Sequence, residues 1–387
     1  MTRTPLTRTF LAVATLIVIG ASAVHAAAPT IMRTPDRGIQ PQAVIDAKGT
    51  IHLIYFKGDP GNGDIFYAKQ AAGEQRFSAP IRVNSEPGSA IATGTIRGPQ
   101  LALGKNNRVH VAWNGSGKAS QKSFNKSAPM LYARLNDAGT AFDAQRNLMQ
   151  DSYNLDGGGA VAADEAGNVY VAWHGLRVGA VAGEGNRQVF VTHSTDEGGT
   201  FPKESVANAQ PTGTCGCCGM KGFVDSKGSL YLLYRSATAN VNRDIYLLTS
   251  KDQGKSFLGT LMQKWQINGC PMTSEVFAET TQGMLAAWVT EKQVYFGRVG
   301  SPQARPISAP GSANERNHPA LAGNAQGETL LVWTEGTGWQ KGGSLAWCIF
   351  DKDGKPTRQS GRVDGGIPVW GLPTAVAKPD GSFVIIH

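Results

Sequence analysis

One sequence pattern recurs seven times along the chain: an apolar run, a turn ending at Gly or Asn, then a β-branched or aromatic run that often closes on Trp or Tyr. The copies span residues 41–55, 99–113, 159–173, 220–234, 275–288, 319–333 and 373–387. Their turn anchors are Gly49, Asn107, Gly167, Gly228, Gly283, Gly327 and Gly381, spaced 44 to 61 residues apart. That period leaves room for four short strands per unit. Segments such as Asn168-Val169-Tyr170-Val171-Ala172-Trp173 alternate with period two between Gly, Asn and Asp, so each copy reads as two strands and a tight turn. Further strand pairs, among them Asp64-Ile65-Phe66-Tyr67 and Asp244-Ile245-Tyr246-Leu247, lie between the copies. No helix-period stretch of useful length interrupts them. The fold class is all-β, a β-propeller of four-stranded blades, and seven copies favour seven blades over a six-bladed ring with one displaced hairpin.

The array reads as a single domain over residues 27–387, because no Pro/Ser-rich or charged linker breaks it. The last copy stops at its second strand, so the missing outer strand is expected from Pro29-Thr30-Ile31-Met32-Arg33. Residues 1–26 read as a secretory signal: Arg3 and Arg8 precede the apolar run 10–19 and the small-residue end Val24-His25-Ala26. The run is too short to span a bilayer, which takes about 20 apolar residues. No other segment qualifies, so the expected product is exported, periplasmic or secreted, monomeric and without a transmembrane segment. The absence of Cys at the cleavage point argues against a lipid anchor. Removing the two arginines leaves 35 Lys+Arg against 29 Asp+Glu, near +6. With 17% charged residues and no basic cluster, a nucleic-acid partner is not expected, and acidic glycans or anionic surfaces suit the charge as well.

Two outer hairpins carry the same motif, Ser194-Thr195-Asp196-Glu197-Gly198-Gly199-Thr200-Phe201 and Ser250-Lys251-Asp252-Gln253-Gly254-Lys255-Ser256-Phe257. Such a turn needs a short acceptor (Asp196, Asp252) for its amides, a Gly (Gly198, Gly254) for positive φ, and an aromatic (Phe201, Phe257) to plug the blade edge. With Ser194 and Ser250 these residues are structural; weaker echoes lie at residues 68–77 and 133–142. On this motif the chain resembles the sialidase superfamily, whose blades carry the Asp-box, over roughly residues 30–387.

The resemblance implies three arginines that clamp a substrate carboxylate, a Tyr nucleophile assisted by a Glu, and an Asp acid. Arg235, in Leu232-Leu233-Tyr234-Arg235, matches the second arginine, and Asp59 could stand in for the acid. Where the family's Arg-Ile-Pro would lie the chain has Ile39-Gln40-Pro41, leaving Arg37 or Arg97 as substitutes. The expected Glu falls near Gly219, and Trp370-Gly371-Leu372-Pro373 stands where the Tyr would be. An exo-sialidase acting on sialylated or other acidic glycans through Arg235, Arg97 and Asp59 is therefore the alternative reading.

Where that Glu should be stands Cys215-Gly216-Cys217-Cys218-Gly219-Met220, echoed by Cys270-Pro271-Met272 before the next unit. Loops that enter innermost strands lie at the mouth of a propeller's channel, so both sulfur clusters, and His318 of Asn317-His318-Pro319, should converge on one rim. Cys215, Cys217, Cys218, Cys270, Met220, Met272 and His318 form a soft ligand set suited to copper, with zinc less favoured. Disulfides suit an exported chain equally, for example Cys218 to Cys270 with Cys215 and Cys217 left over, giving an interaction scaffold. A catalytic thiol acidified by Arg235 or Lys221 is the third reading.

Cys348 is expected to fill a core, and His52 and His110, which share a repeat slot with Tyr170 and Tyr231, to pack. His174 and Glu335 could reach the rim. The Gly-rich loops 57–63, 114–129, 174–187 and 235–243 suit recognition of a glycan or an envelope protein. No phosphate-binding glycine motif stands between a strand and a helix, so no nucleotide cofactor is expected.

Overall fold

The computed structural model describes Met1 and residues 27–208, 210–300 and 305–387; the leader expected over residues 1–26 lies, but for Met1, outside them. Seven small sheets form a ring. Their innermost strands are Ile39–Ile45, Gln100–Leu103, Gly159–Ala163, Met220–Val224, Val276–Thr280, Arg316–Gly323 and Thr374–Ala377. Each innermost strand contacts the next and the seventh contacts the first, which settles the blade number at seven. Among the described residues the only helical elements are four single 3-10 turns, and no helix is long and apolar enough to cross a membrane.

The repeat anchors explain the hairpins. All seven have φ between 59° and 111°, the left-handed region that Gly and Asn enter at least cost. Five of the sheets have four strands, and the third has a fifth, Ser152–Tyr153, on an extension of its second strand. The seventh has three: Thr374–Ala377 and Phe383–Ile386 pair antiparallel, and Thr30–Met32 adds in parallel, with Ile31 opposite Ile385. The strand expected from the N-terminal region therefore closes the ring, and Thr34 N and His387 N bond across the seam to His387 O and Met32 O at 2.9 and 3.0 Å.

Both Asp-boxes close as their chemistry requires. Ser194 Oγ donates to Asp196 Oδ1 (2.6 Å) and accepts from Gly198 N (2.9 Å), while Thr200 donates N–H and O–H to the two carboxylate oxygens at 2.8 Å. Ser250, Asp252, Gly254 and Ser256 repeat the pattern. These bonds stabilise the charged carboxylates: the Ser194 hydroxyl leads in holding Asp196 at about 2, and the Ser256 hydroxyl does so for Asp252. Phe201 meets Tyr132 of the neighbouring blade edge-on at 4.9 Å.

The core is divided into seven wedges, each filled by side chains of two adjacent blades. Trp113, Trp173 and Trp288, at most 1% exposed, sit in three of them near the ends of second strands. Truncating one such Trp to Ala costs about 3–5 kcal/mol. Cys348 is core filling in the wedge between the fifth and sixth blades. His52 and His110 are buried and bond the hydroxyls of Tyr67 and Tyr132 at 2.8 and 2.7 Å, so both are packing residues.

Candidate functional site

The segment 212–219 crosses one face of the ring before entering the fourth blade at Met220. Backbone bonds pin it on three sides: Cys215 N to Arg235 O (2.9 Å), Gly157 N to Gly216 O (2.7 Å) and Gly219 N to Thr273 O (2.8 Å). Glu184 Oε1 accepts from Gly216 N at 2.8 Å, and the other oxygen of Glu184 pairs with Arg243. A Cβ at position 157 would lie 2.7 Å from Cys218 O and 2.8 Å from Gly216 O, so glycine is needed for the third blade to approach this loop.

This pinning gathers the sulfurs. Cys215 Sγ lies 3.1 Å from Cys218 Sγ and 3.5 Å from Cys217 Sγ, and all three lie within 4.8 Å of one another, buried. Met272 packs against them. Cys217 is bonded to Cys270, linking the loop before the fourth blade to the loop before the fifth. The pairing of Cys218 with Cys270 is thus corrected. Cys217 is 8% exposed and faces the exposed Cys270 arm, whereas Cys218 is 1% exposed and turns toward Cys215 and Thr273.

The remaining ligand candidates divide. Met220 packs into the wedge of Tyr170, Leu232 and Tyr234 and is withdrawn from the cluster. His318 faces a small cavity at the channel mouth, its Nδ1 3.1 Å from Ser274 Oγ; burial lowers its pKa to about 4, leaving a neutral imidazole at neutral pH. His174 approaches the sulfur cluster, with Nε2 3.3 Å from Cys218 O. Glu335 does not: it pairs with Arg316 (3.5 Å) and Arg362 (3.0 Å) inside the sixth blade.

The electrostatics around the two free thiols are asymmetric. Their mutual hydrogen bond and burial raise Cys215 far above an ordinary thiol. For Cys218, burial pushes up, but the bond from Cys215 and the Arg235 guanidinium outweigh it and the thiol is acidified. Thr273 Oγ1 links the two groups, accepting from Arg235 Nε at 2.9 Å and lying 3.6 Å from Cys218 Sγ and 3.4 Å from Glu275 Oε1. Burial drives Glu275 well above the ordinary carboxyl value against the pull of Arg235, and its Oε2 has no hydrogen-bond partner. Thr273, Glu275, Glu184 and Gly157 were missed by sequence reasoning; the signal for the first two was their place directly after Cys270-Pro271-Met272.

The residues expected for glycoside cleavage are held by separate partner sets. Arg235 is 1% exposed, stacks 4.9 Å over Trp265, and besides Thr273 donates to Arg243 O and Val289 O. Arg97 pairs with Asp156 and donates to Asp156 O and Thr93 O at 2.8 Å. Asp59 ends a hairpin strand, exposed, accepting from Gly61 N at 2.7 Å. Ile39 packs against the wedge of Trp113, and Trp370 meets Trp339 edge-on at 4.7 Å.

No family model and no curated protein matches this chain. Solved structures do. The chain superimposes on a protein of unknown function from Dyadobacter fermentans with a TM-score of 0.54 and 13% identity, over 80% of this chain and 94% of that one. A Hadza microbial sialidase, Hz136, gives 0.52 and 13%, over 82% and 69%. A leech intramolecular trans-sialidase gives 0.50 and 8%, over 92% and 87%. At such identities the likeness establishes the sialidase-like propeller fold.

Proposed function

We propose that this sialidase-like seven-bladed propeller is an exported binding protein that takes a soft metal ion, copper(I) foremost, on the sulfur cluster at its channel mouth. The observation that carries the reading is the trio Cys215, Cys217 and Cys218, three buried sulfurs within 4.8 Å from one four-residue segment. Thiolate and thioether donors select Cu(I) over harder ions. Cys215 and Cys218 are free thiols, reduction of the Cys217–Cys270 bond supplies the third thiolate, and Met272 stands beside them. Arg235 favours the deprotonated sulfur that a ligand must be. Zinc would need a fourth ligand, which Cys270 can give in the reduced protein.

The test is elemental mass spectrometry on the mature protein, reduced, loaded anaerobically with copper(I) and desalted. About one copper per chain, lost in Cys215→Ser/Cys218→Ser while the circular dichroism spectrum stays that of the wild type, supports the reading. Copper-free reduced wild-type protein overturns it. The second reading, a disulfide-stapled interaction scaffold, is favoured by the Cys217–Cys270 bond between two blades. It predicts unreduced protein that carries no metal and captures a glycan or envelope protein. The glycosidase alternative has no comparable support, because the guanidinium of Arg235 is spent on Thr273, Arg243 and Val289.

A further inference from the structure

Below the rim, the innermost strands enclose a channel of about 390 Å³. That volume lies at the lower end of the roughly 300–1,000 Å³ of small-molecule sites and is more than twice the roughly 150 Å³ that accommodates benzene. Apolar residues make up the larger part of its lining, among them Val44, Leu103, Phe223, Val276, Ala320 and Val376, beside the free backbone edges of the innermost strands. Four-residue stretches such as Thr374–Ala377 give it a depth of about 10 Å, at about 3.3 Å per residue step.

One cation caps this apolar tube. Lys221 lines both the channel and the small cavity above it. Its Nζ donates to Gln42 Oε1 at 3.0 Å and to Gln100 Oε1 at 2.7 Å, reaching from the fourth blade to the first and second. An ammonium has three N–H donors, so one is left. No carboxylate among the described residues pairs with it, and burial alone accounts for its lowered pKa of about 8. The other charged residue on the channel wall, Glu279, accepts hydrogen bonds from Ser226 N and Oγ. Placing an ammonium in such surroundings costs free energy unless an anion accompanies it.

We propose that the channel is a binding site for a monocarboxylate with a linear aliphatic tail, its carboxylate on Lys221 and its tail along the apolar wall. A charged head with a hydrocarbon tail matches the two properties of the site together, which a sugar or a bare inorganic anion does not. The site is separate from the sulfur cluster, and the proposal stands whether or not that cluster takes metal.

Calorimetric titration of the mature protein with butyrate, hexanoate, octanoate, octan-1-ol and octylammonium tests it. Octanoate binds one per chain, affinity rises roughly fourfold per methylene from butyrate until the tube is filled, and octylammonium binds at least tenfold more weakly. Lys221→Met, which keeps the stem and removes the charge, lowers octanoate affinity at least tenfold and leaves octan-1-ol unchanged. Equal affinity for octanoate and octylammonium, no binding of octanoate, or a flat chain-length series overturns the proposal. Those comparisons use wild-type protein, so they decide the matter even if Lys221→Met fails to fold, in which case Lys221 is a cross-blade strut.

Discussion

The sulfur of Cys215 points its proton at the sulfur of Cys218 across 3.1 Å, so the two thiols ionise as a pair with opposite tendencies. Ultraviolet titration at 240 nm of unloaded protein should therefore show one thiolate forming below the ordinary thiol range, assigned to Cys218 by its loss in Cys218→Ser. The other two free thiols, Cys215 and the core-filling Cys348, should stay protonated above that range. Two thiols that titrate together near the ordinary value would refute the asymmetry.

The covalent link between Cys217 and Cys270 spans 53 residues. A loop of that size corresponds to about 4 kcal/mol of lost chain entropy in the unfolded state. Cys270→Ser should lower unfolding free energy by up to that amount without changing the native spectrum. Peptide mapping of unreduced protein should recover Cys217 joined to Cys270; recovery of Cys218 joined to Cys270 would reverse the assignment.

Asp196 owes its low pKa of about 2 first to the Ser194 hydroxyl and then to the Thr200 N–H. A depressed acid contributes stability that is fully present above the unfolded pKa of about 3.9 and is lost as pH falls through the folded one. Asp196→Asn should cost of the order of 1 kcal/mol at neutral pH, a figure discounted for the exposed setting. The difference from wild type should shrink between pH 4 and pH 2, and urea midpoints measured across that window check it. A constant difference down to pH 2 would mean the charge contributes nothing.

Glu204 is 7% exposed and accepts from the N–H groups of Gln150, Asp151 and Ser152 and from the hydroxyl of Ser152, all within 3.1 Å. That hydroxyl in turn accepts from Trp173 Nε1 at 2.9 Å. Glu204→Gln replaces an acceptor by a donor facing other donors, and should cost about 1–3 kcal/mol. Hydrogen exchange at residues 150–153 should quicken more than elsewhere in the third blade.

What the sequence made legible was whatever is local or repeated. The period-two runs, the positive-φ anchors and the Asp-box turns each specify themselves within about ten residues, and their repetition leaves little choice but a ring. The place of Cys215, Cys217 and Cys218 directly before an innermost strand followed from the same register. Illegible were the directions of single side chains in a loop that does not repeat. Nothing local says that Met220 turns into the wedge of Tyr170 while Met272 turns to the sulfurs, or that Cys217 rather than Cys218 faces Cys270. Arg235 was singled out by the resemblance. Its role was decided by Trp265, Thr273 and Val289, 30 to 54 residues further along the chain.

The parallel pairing of Thr30–Met32 with Phe383–Ile386 makes the seventh blade a product of both chain ends. Contacts such as Arg33 with His387 span 354 residues, the kind of long-range closure that slows folding. Six blades can assemble from contiguous stretches, but the seventh waits for two distant segments to meet. Until they do, an open arc presents unpaired strand edges and an incomplete wedge, the state in which the chain is most exposed to aggregation and proteolysis. Premature cleavage just beyond Thr30 would therefore matter more than the loss of a few surface residues suggests, because it would remove the clasp of the whole ring.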